Sequence, residues 1–256
     1  GFSLQYEICY TNLLTMLDLA RIPLRAEDRT TEHPLILAGG PCAQNPEPVA
    51  PFVDAIVTGD GEPALPLVCD TWLELRQQAL TTRKQGRRER EEMLAELATR
   101  LPFVYVPRFY EPEYYADGRY AALNRTRPEV PETIEPSVIS SLEDIPLPTK
   151  PIVPYVECIH DRIAIEIMRG CPWQCRFCQS TVIKRPLRIR EVDTIVDAAL
   201  ASYRATGFNE ISLLSLSTSD YPHFEPLLKR MYEVFDPLGV NISVPSLRAN
   251  EQLKSV

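Results

Sequence analysis

Residues Arg169–Cys178 read RGCPWQCRFC and place three of the chain's seven cysteines, Cys171, Cys175 and Cys178, at C-x3-C-x2-C spacing. The stretch follows the run Ile163–Met168, whose alternating apolar residues are typical of a strand. Three thiols this close in sequence indicate a metal or redox site, because thiolates are the form in which cysteine binds metals and reacts. The sequence therefore predicts a strand that ends in a cysteine loop.

The cysteine spacing favours an iron–sulfur cluster over the other sites that cysteines form. A four-iron cluster normally takes four Cys thiolates, so three would leave one iron open to a substrate or cofactor. Structural zinc needs a fourth ligand, usually from a second knuckle, and the nearest histidine, His160, lies across the predicted strand. A zinc-stabilised interaction module and an iron–sulfur electron-transfer protein remain as alternatives, with a disulfide less favoured.

The cysteine loop resembles the motif of the radical S-adenosylmethionine (SAM) superfamily, C-x3-C-x-aromatic-C, with Phe177 at the aromatic position. The resemblance implies a [4Fe-4S] cluster on Cys171, Cys175 and Cys178, and SAM bound by its amino and carboxylate groups to the open iron, with Phe177 among the residues that contact SAM. It also implies an external one-electron reductant of flavodoxin or ferredoxin type. The expected reaction is reductive cleavage of SAM to methionine and a 5′-deoxyadenosyl radical.

Composition narrows the remaining function classes. The 256 residues are 45% apolar, enough for a sizeable core, and the net charge of −8 argues against non-specific nucleic-acid binding. The sequence has neither a run of 18 apolar residues nor a signal peptide, so we expect a cytoplasmic protein that does not enter a membrane. The chain begins inside an apolar run and ends, over residues 249–256, in what reads as the first turns of a helix. These ends predict an internal fragment of a longer protein.

Residues 1–80 alternate short apolar runs with helical periodicity, which is typical of βα units and a parallel sheet. Two of the predicted strands, at residues 34–38 and 54–58, end in the glycine-rich stretches GGP and GDGE. Glycine at the carboxyl end of a parallel strand lets a ligand approach the backbone closely. Tight βα turns without a ligand explain the same glycines equally well.

This first segment resembles the Rossmann-like cobalamin-binding domain that precedes the radical barrel in many members of the superfamily. The resemblance implies a partial Rossmann-like sheet over residues 1–80, with Gly39, Gly40, Gly59 and Gly61 near the nucleotide tail of cobalamin. The D-x-H-x-x-G signature that supplies a histidine to cobalt in that family is absent from the sequence. Cobalamin is accordingly expected as a second cofactor only through the glycine loops.

Residues 81–154 predict a charged helix, a hairpin and a connector. The helix has an apolar stripe, and its interspersed glutamates favour a solvated helix with i,i+4 charge pairs over a basic RNA-binding helix. Asp117 and Gly118 predict the turn of a small hairpin. Residues 128–154 are rich in proline and lack helical periodicity, so they predict an extended connector on the surface or between domains.

Residues 155–256 return to βα repeats and form the radical SAM domain that the resemblance implies. The predicted strands are Ile163–Arg169, Ile211–Leu216 and Val240–Val244, and the predicted helices are Val192–Ala205 and Phe224–Phe235. The family barrel has six βα units, so these three units predict the N-terminal half of a partial (β/α)6 barrel. Functional groups in βα barrels lie at the carboxyl ends of the strands, where the cysteine loop falls.

The remaining ligand candidates follow the second and third strands of this domain. Where the superfamily often has a Gly-Gly-Glu stretch for the SAM amino group, this sequence has hydroxyls, among them Ser215 and Ser217. We expect Arg248 to bind the SAM carboxylate and Ser246 its ribose or amine, since arginine binds carboxylates bidentately. The structural alternatives are a helix N-cap near residues 219–220 and a surface ion pair of Arg248.

The leading hypothesis is thus a radical SAM enzyme, with methylation or methylthiolation, aided by cobalamin, as its plausible reactions. The sequence identifies neither the substrate nor a catalytic residue that acts on it. Four cysteines have no partner at ligand spacing, and small buried apolar residues are the default interpretation for Cys9, Cys42, Cys69 and Cys158.

Overall fold

The computed structural model of the chain describes residues 1–82, 86–156 and 158–248. It forms two compact units, residues 1–139 and residues 140–256. The division differs from the three segments predicted from the sequence, because residues 87–139 pack into the first unit. The helical turns predicted for residues 249–256 lie outside the described residues.

In its described residues, the first unit is built on a four-stranded sheet with three α-helices. The strands are β1 (Phe2–Ser3), β2 (Leu37–Gly39), β3 (Ala55–Val57) and β4 (Val104–Tyr105), and the helices are α1 (Cys9–Leu19), α2 (Gly61–Thr82) and α3 (Arg87–Arg100). The sheet order is β1-β2-β3-β4, with β1, β2 and β3 parallel and β4 antiparallel to β3. The predicted parallel βα arrangement is confirmed, although each of its three strands is shorter than the apolar run that predicted it.

The helices of this unit bury the apolar stripes that their periodicity predicts. In α2 the buried residues recur every three or four positions, at Ala64, Val68, Trp72, Leu75 and Ala79. The charged helix α3 also packs into the core, through Met93, Leu94 and Leu97. The other face of α3 is solvated as expected and carries the i,i+4 ion pair of Arg100 with Glu96, whereas the apolar stripe and Arg90 are buried.

A buried ionic cluster joins α3 to the sheet. The Asp54 carboxylate, directly before β3, accepts hydrogen bonds from Arg90 Nη2 at 2.8 Å and from the Ile36 N–H at 2.8 Å, and Arg29 Nη1 lies 3.2 Å away. All three charged side chains are fully buried. Burial lowers the pKa of Arg29, and Asp54 offsets part of that shift by favouring the charged form. Since losing one partner of a buried pair costs about 3–5 kcal/mol, this cluster fixes the start of β3.

The segment after α3 is bonded to the end of β3. A hairpin, β5 (Tyr110–Tyr114) and β6 (Tyr120–Arg125), confirms the predicted turn, and Ser137 then forms a parallel bridge with Gly59. The Ser137 N–H donates to Thr58 O at 3.0 Å, and the Ile139 N–H donates to Asp60 Oδ2 at 3.0 Å. The first part of the proline-rich connector, residues 128–139, thus belongs to the first unit and is bonded to it. We call this segment the strap.

The second unit is a three-stranded parallel sheet with helices on one face. Its elements are β7 (Ile163–Glu166), β8 (Met168–Arg169), α4 (Ser180–Ile183), β9 (Arg188–Ile189), α5 (Val192–Thr206), β10 (Glu210–Leu214), α6 (Phe224–Phe235) and β11 (Asn241–Ser243). The sheet order is β11-β10-β7, in register Ile242 with Ile211 and Ile211 with Ile163. Both predicted helices are present, and α6 has the bounds predicted for it.

The core of the second unit lies between this sheet and its helices α5 and α6. Its buried residues include Ile163, Ile165, Ile195, Ile211, Leu213, Leu227, Met231 and Phe235. The other face of the sheet exposes Ala164 and Leu214. This one-sided burial agrees with a parallel α/β architecture, while the half-barrel remains a prediction.

Helix α2, with 22 residues, is the longest helix described, and it carries Asp70, Glu74 and Arg76 among its apolar residues. Within residues 1–82, 86–156 and 158–248, no helix has the length and apolar content needed to cross a bilayer.

We predict that Gly59→Ala destabilises the first unit by about 3 kcal/mol, because the new Cβ would lie 2.0 Å from Ser137 O at a backbone φ of +91°. Chemical denaturation followed by circular dichroism measures this free energy of unfolding. Two glycines serve as matched controls. Gly118→Ala has a positive φ but open space, so it should cost only about 1 kcal/mol, and Gly61→Ala, with neither constraint, should be neutral or stabilising. Equal losses for Gly59→Ala and Gly118→Ala would show that the strap does not press on Gly59.

Candidate functional site

The cysteine loop, residues 170–187, is closed at its base by the two short strands β8 and β9. These pair antiparallel, Met168 with Ile189 and Arg169 with Arg188. The predicted strand Ile163–Arg169 is in fact interrupted at Ile167, whose N–H donates to Leu214 O while its carbonyl accepts from the Arg190 N–H. The chain therefore leaves the parallel sheet at the carboxyl end of β7 and enters the loop as a separate ribbon.

Gly170 lies where the two ends of the loop meet. A Cβ atom at this position would lie 2.7 Å from Lys184 O and 3.1 Å from Leu187 Cα, and the backbone φ is +95°. Only glycine adopts this conformation without strain and leaves room for the returning chain. The glycine before the first cysteine is thus required by the loop closure.

The three predicted ligands Cys171, Cys175 and Cys178 are free, half-buried thiols on this one loop. The Cys178 N–H donates to Cys175 O at 3.0 Å, which closes a turn, and Thr181 Oγ1 donates to Cys178 O at 2.8 Å. Phe177, between the last two cysteines, is 93% exposed. Among the described residues, no group of three or more His, Cys, Asp or Glu side chains is arranged to hold a metal ion. The loop thus holds Cys175 and Cys178 on one turn with Cys171 four residues before it, and a cluster would require the three sulfur atoms to converge further.

Arg190 anchors the returning end of the loop from inside the second unit. Its side chain is buried, and it donates from Nε to Glu166 O at 3.1 Å and from Nη1 to Leu142 O at 2.5 Å. The Tyr221 hydroxyl donates to Arg190 O at 2.6 Å. Burial raises the pKa of Tyr221 to about 12, so this hydroxyl stays protonated as a donor near neutral pH. Sequence reasoning missed Arg190, because a basic residue before a helix carries no local signal of burial.

The hydroxyl-rich segment after β10 forms a short 3-10 turn, Thr218–Asp220. Ser217, Thr218 and Ser219 are buried, and Ser215 is half-buried. The Ser215 and Thr218 hydroxyls lie 2.9 Å apart, and the Ser217 hydroxyl donates to the Asp220 carboxylate. The alternative prediction of an N-cap at residues 219–220 is wrong, since helix α6 has His223 at its N-cap position. The hydroxyls instead hold one another in place.

The loop after β11 joins this turn. The Thr218 N–H donates to Ser246 O at 3.1 Å, and the Arg248 N–H donates to Ser219 Oγ at 3.1 Å. Ser246 is exposed and has a φ of +58°. The structure therefore brings the predicted residues Ser215, Ser217, Ser246 and Arg248 together at the carboxyl ends of neighbouring parallel strands.

Trp173 connects the cysteine loop to both of these segments. Its Nε1 donates to Asp220 Oδ2 at 2.7 Å, and the Arg248 guanidinium carbon lies 3.8 Å from the centre of its ring. Sequence reasoning missed Trp173 as a functional candidate, because its partners lie 47 and 75 positions further along the chain, at Asp220 and Arg248. Among the residues that the structure describes, Arg248 forms this stack on an aromatic ring and not the surface ion pair predicted as the alternative.

The four glycines predicted to lie near cobalamin are in the first unit, and two of them, Gly40 and Gly59, pack against the chain's own backbone. A Cβ atom at Gly40 would lie 2.9 Å from Leu4 O, and one at Gly59 would lie 2.0 Å from Ser137 O. Gly39 has only an ordinary contact with Val57 O, and Gly61 opens helix α2 with free space around it. The close approaches at Gly40 and Gly59 are thus explained by packing, as the alternative reading of tight turns expects.

The four other cysteines do not share one environment. Cys42 is buried, and burial together with nearby Glu7 raises the pKa of its thiol. Cys9 is half-buried, whereas Cys69 and Cys158 are exposed. The default expectation of buried apolar residues is wrong for these last two, because α2 turns Cys69 outward and Cys158 lies in a surface loop.

Comparison with known proteins supports the resemblance to the radical SAM superfamily. Residues 1–107 match the family model for radical SAM proteins, N-terminal. A stretch of 86 residues is 36% identical to the uncharacterized protein MJ0966 of Methanocaldococcus jannaschii, and it covers 34% of this chain and 18% of that protein's length. The family match does not include the cysteine loop, so it supports the radical SAM superfamily independently of the motif at residues 169–178.

We predict that Gly170→Ala destabilises the second unit by about 3 kcal/mol, since the Cβ would press on the carbonyl of Lys184 where the loop closes. The measurement is denaturant unfolding followed by circular dichroism. Gly207→Ala is the matched control, because Gly207 also has a positive φ, at the end of α5, but no atom within 4 Å of the added Cβ. It should cost about 1 kcal/mol, and a similar value for Gly170→Ala would contradict the close approach at the loop base.

Proposed function

We propose that this chain is part of a radical SAM enzyme, in which Cys171, Cys175 and Cys178 hold a [4Fe-4S] cluster. The observation that carries the proposal is the position of three free thiols on one loop at the carboxyl end of β7, beside the hydroxyl and arginine segments that follow β10 and β11. The radical SAM match of residues 1–107 supports the same superfamily from a separate part of the chain.

The donor set fits such a cluster by its chemistry. Cys171, Cys175 and Cys178 would each hold one iron, and a fourth iron without a protein thiolate would be open to the amino and carboxylate groups of SAM. A cluster held there would supply one-electron chemistry: an electron from an external flavodoxin- or ferredoxin-type reductant would cleave the sulfonium–C5′ bond of SAM to methionine and the 5′-deoxyadenosyl radical. The protein's part is to position SAM and to exclude water.

The surrounding side chains suit the parts of SAM that remain after the iron is satisfied. Arg248 is exposed and carries a permanent positive charge, so we assign to it the SAM carboxylate. Ser246 is exposed beside it and is assigned to the ribose or the amine. Ser215 is half-buried and faces Thr218, and Ser217 is already bonded to Asp220, so these two hydroxyls chiefly shape the turn that lines the site. Phe177 lies at the exposed tip of the loop, where it can cover bound SAM.

Methylation or methylthiolation remains the proposed reaction class, and cobalamin its proposed second cofactor. The contacts at Gly40 and Gly59 give cobalamin no support, since the chain's own backbone fills the space beside them. The informative variant is Gly61→Val, because Gly61 is surrounded by open space, so a new side chain there obstructs a ligand without obstructing the fold. Hydroxocobalamin is titrated into wild type and Gly61→Val and followed by visible absorbance. Weaker binding by Gly61→Val would indicate a cofactor site at this loop, and no binding by wild type would indicate a purely structural sheet edge.

We predict that anaerobic reconstitution of the full-length protein with iron and sulfide gives about four irons for this site, and that Cys175→Ala abolishes the intact cluster. Iron and sulfide analysis and electron paramagnetic resonance of the reduced protein measure the result. The loaded wild type should cleave SAM to 5′-deoxyadenosine when dithionite is supplied.

Cys158→Ser and Cys69→Ser are the matched controls, since both thiols are exposed and outside the loop. Both should retain the cluster signal. One tightly held zinc without iron would overturn the proposal in favour of a zinc-stabilised module, and a stable cluster that does not cleave SAM would favour an electron carrier.

A further inference from the structure

Trp173 occupies a position that the cluster ligands alone do not explain. It lies two residues after Cys171 and two before Cys175, and 43% of its surface is exposed. Apolar burial is non-directional, so the partial burial of this ring does not by itself set its orientation. Its indole instead has two directed contacts, one through the N–H and one through the ring face.

The N–H contact fixes the indole to a rigid partner. Asp220 ends the turn Thr218–Asp220, whose Thr218 and Ser219 side chains are buried. The Asp220 N–H donates to Ser217 O at 3.0 Å, and its carboxylate also accepts from the Ser217 hydroxyl. A hydrogen bond to a carboxylate is stronger than one between neutral groups. Asp220 therefore sets the orientation of the Trp173 ring.

The ring contact in turn orients Arg248. The guanidinium carbon lies 3.8 Å from the ring centre, well within the range of a cation–π contact. Stacking uses the face of the planar guanidinium, whereas carboxylates are bound by the N–H groups at its edge. The same contact that immobilises the cation therefore leaves its edge available for a planar anionic group.

We propose that Trp173 is a positioning residue for ligand recognition: held by Asp220, it presents the edge of Arg248 to the carboxylate of SAM. This inference rests on the proposed function and deepens it. It also links the cysteine loop to the ligand, because Trp173 belongs to that loop and Arg248 to the segment after β11. Arginine is thus matched to the carboxylate by orientation as well as by charge.

The first experiment measures binding of SAM and of decarboxylated SAM, which lacks only the carboxylate, to reconstituted full-length protein by equilibrium dialysis. Arg248→Gln should weaken SAM binding about tenfold, the usual loss for one charge-assisted contact. Trp173→Leu should weaken it about fivefold, and Trp173→Phe, which keeps a ring, should weaken it less. The decarboxylated analogue should bind all of these variants as it binds the wild type.

The double variant Trp173→Leu/Arg248→Gln tests whether the two residues act as one unit. It should bind SAM no more weakly than Arg248→Gln alone, because Trp173 acts only through Arg248. Independent, multiplying losses would overturn the inference, and so would an equal loss of the decarboxylated analogue, which would indicate general damage to the loop. Arg119→Gln is the matched control, since Arg119 stacks on Tyr115 in the hairpin of the first unit, and it should bind SAM normally.

A second readout needs neither iron nor SAM. In cluster-free protein, Arg248→Gln should increase acrylamide quenching of tryptophan fluorescence, because one face of Trp173 loses its cover, whereas the buried Trp72 is unaffected. Arg119→Gln should leave the quenching unchanged, and no change for Arg248→Gln would overturn the stack. Wild-type protein that takes up no iron and binds no SAM would remove the proposed function and this inference together. Iron uptake and SAM binding with independent variant effects would overturn the inference alone.

Discussion

The whole arrangement depends on backbone segments that pass within contact distance of one another at the carboxyl ends of the strands. A Cβ atom at Gly59 would lie 2.0 Å from the carbonyl oxygen of the strap residue Ser137. A Cβ atom at Gly170 would lie 2.7 Å from the carbonyl oxygen of Lys184, in the returning part of the cysteine loop. Both glycines have positive φ, so space and conformation impose the same residue type. These approaches let short strands end in tightly closed loops.

Different groups lie at the carboxyl ends of the strands in the two sheets. In the first unit, the edge after β3 is bonded by the strap, through Thr58, Asp60 and Ser137. In the second unit, the edge carries the cysteine loop and exposed polar groups such as Ser246 and Arg248. Open α/β sheets bind ligands at the carboxyl ends of their strands. The edge that the chain leaves accessible in the second unit is the one that holds thiols, hydroxyls and a cation.

The sequence predicted well whatever depends on neighbours along the chain. The parallel βα repeats, the bounds of α6 and the hairpin turn at Gly118 follow from periodicity and turn chemistry, and the cysteine spacing located the loop. Contacts between distant positions were missed. Arg90 reads as one charge among many on a helix, yet its partner Asp54 lies 36 positions away and both are buried. Arg190 and Trp173 were missed for the same reason. Arg190 contacts Tyr221, 31 positions away, and Trp173 contacts Asp220, 47 positions away, and such contacts leave no local sequence pattern.

The cysteine loop has little apolar packing of its own, and that explains why its few polar contacts matter. Several of its large apolar side chains are substantially exposed, namely Trp173, Phe177, Val182 and Leu187. At its base, the loop is ordered by the β8–β9 pairing, by the close packing of Gly170 against Lys184 O and by the hydrogen bonds of Arg190. Further along, the Trp173 N–H is bonded to Asp220. Within the loop, the turn at Cys175–Cys178 and the Thr181 hydroxyl bond to Cys178 O add local order. The strands and the core of the second unit are ordered by their own packing, so the conformation of the loop depends on these polar contacts and not on the core.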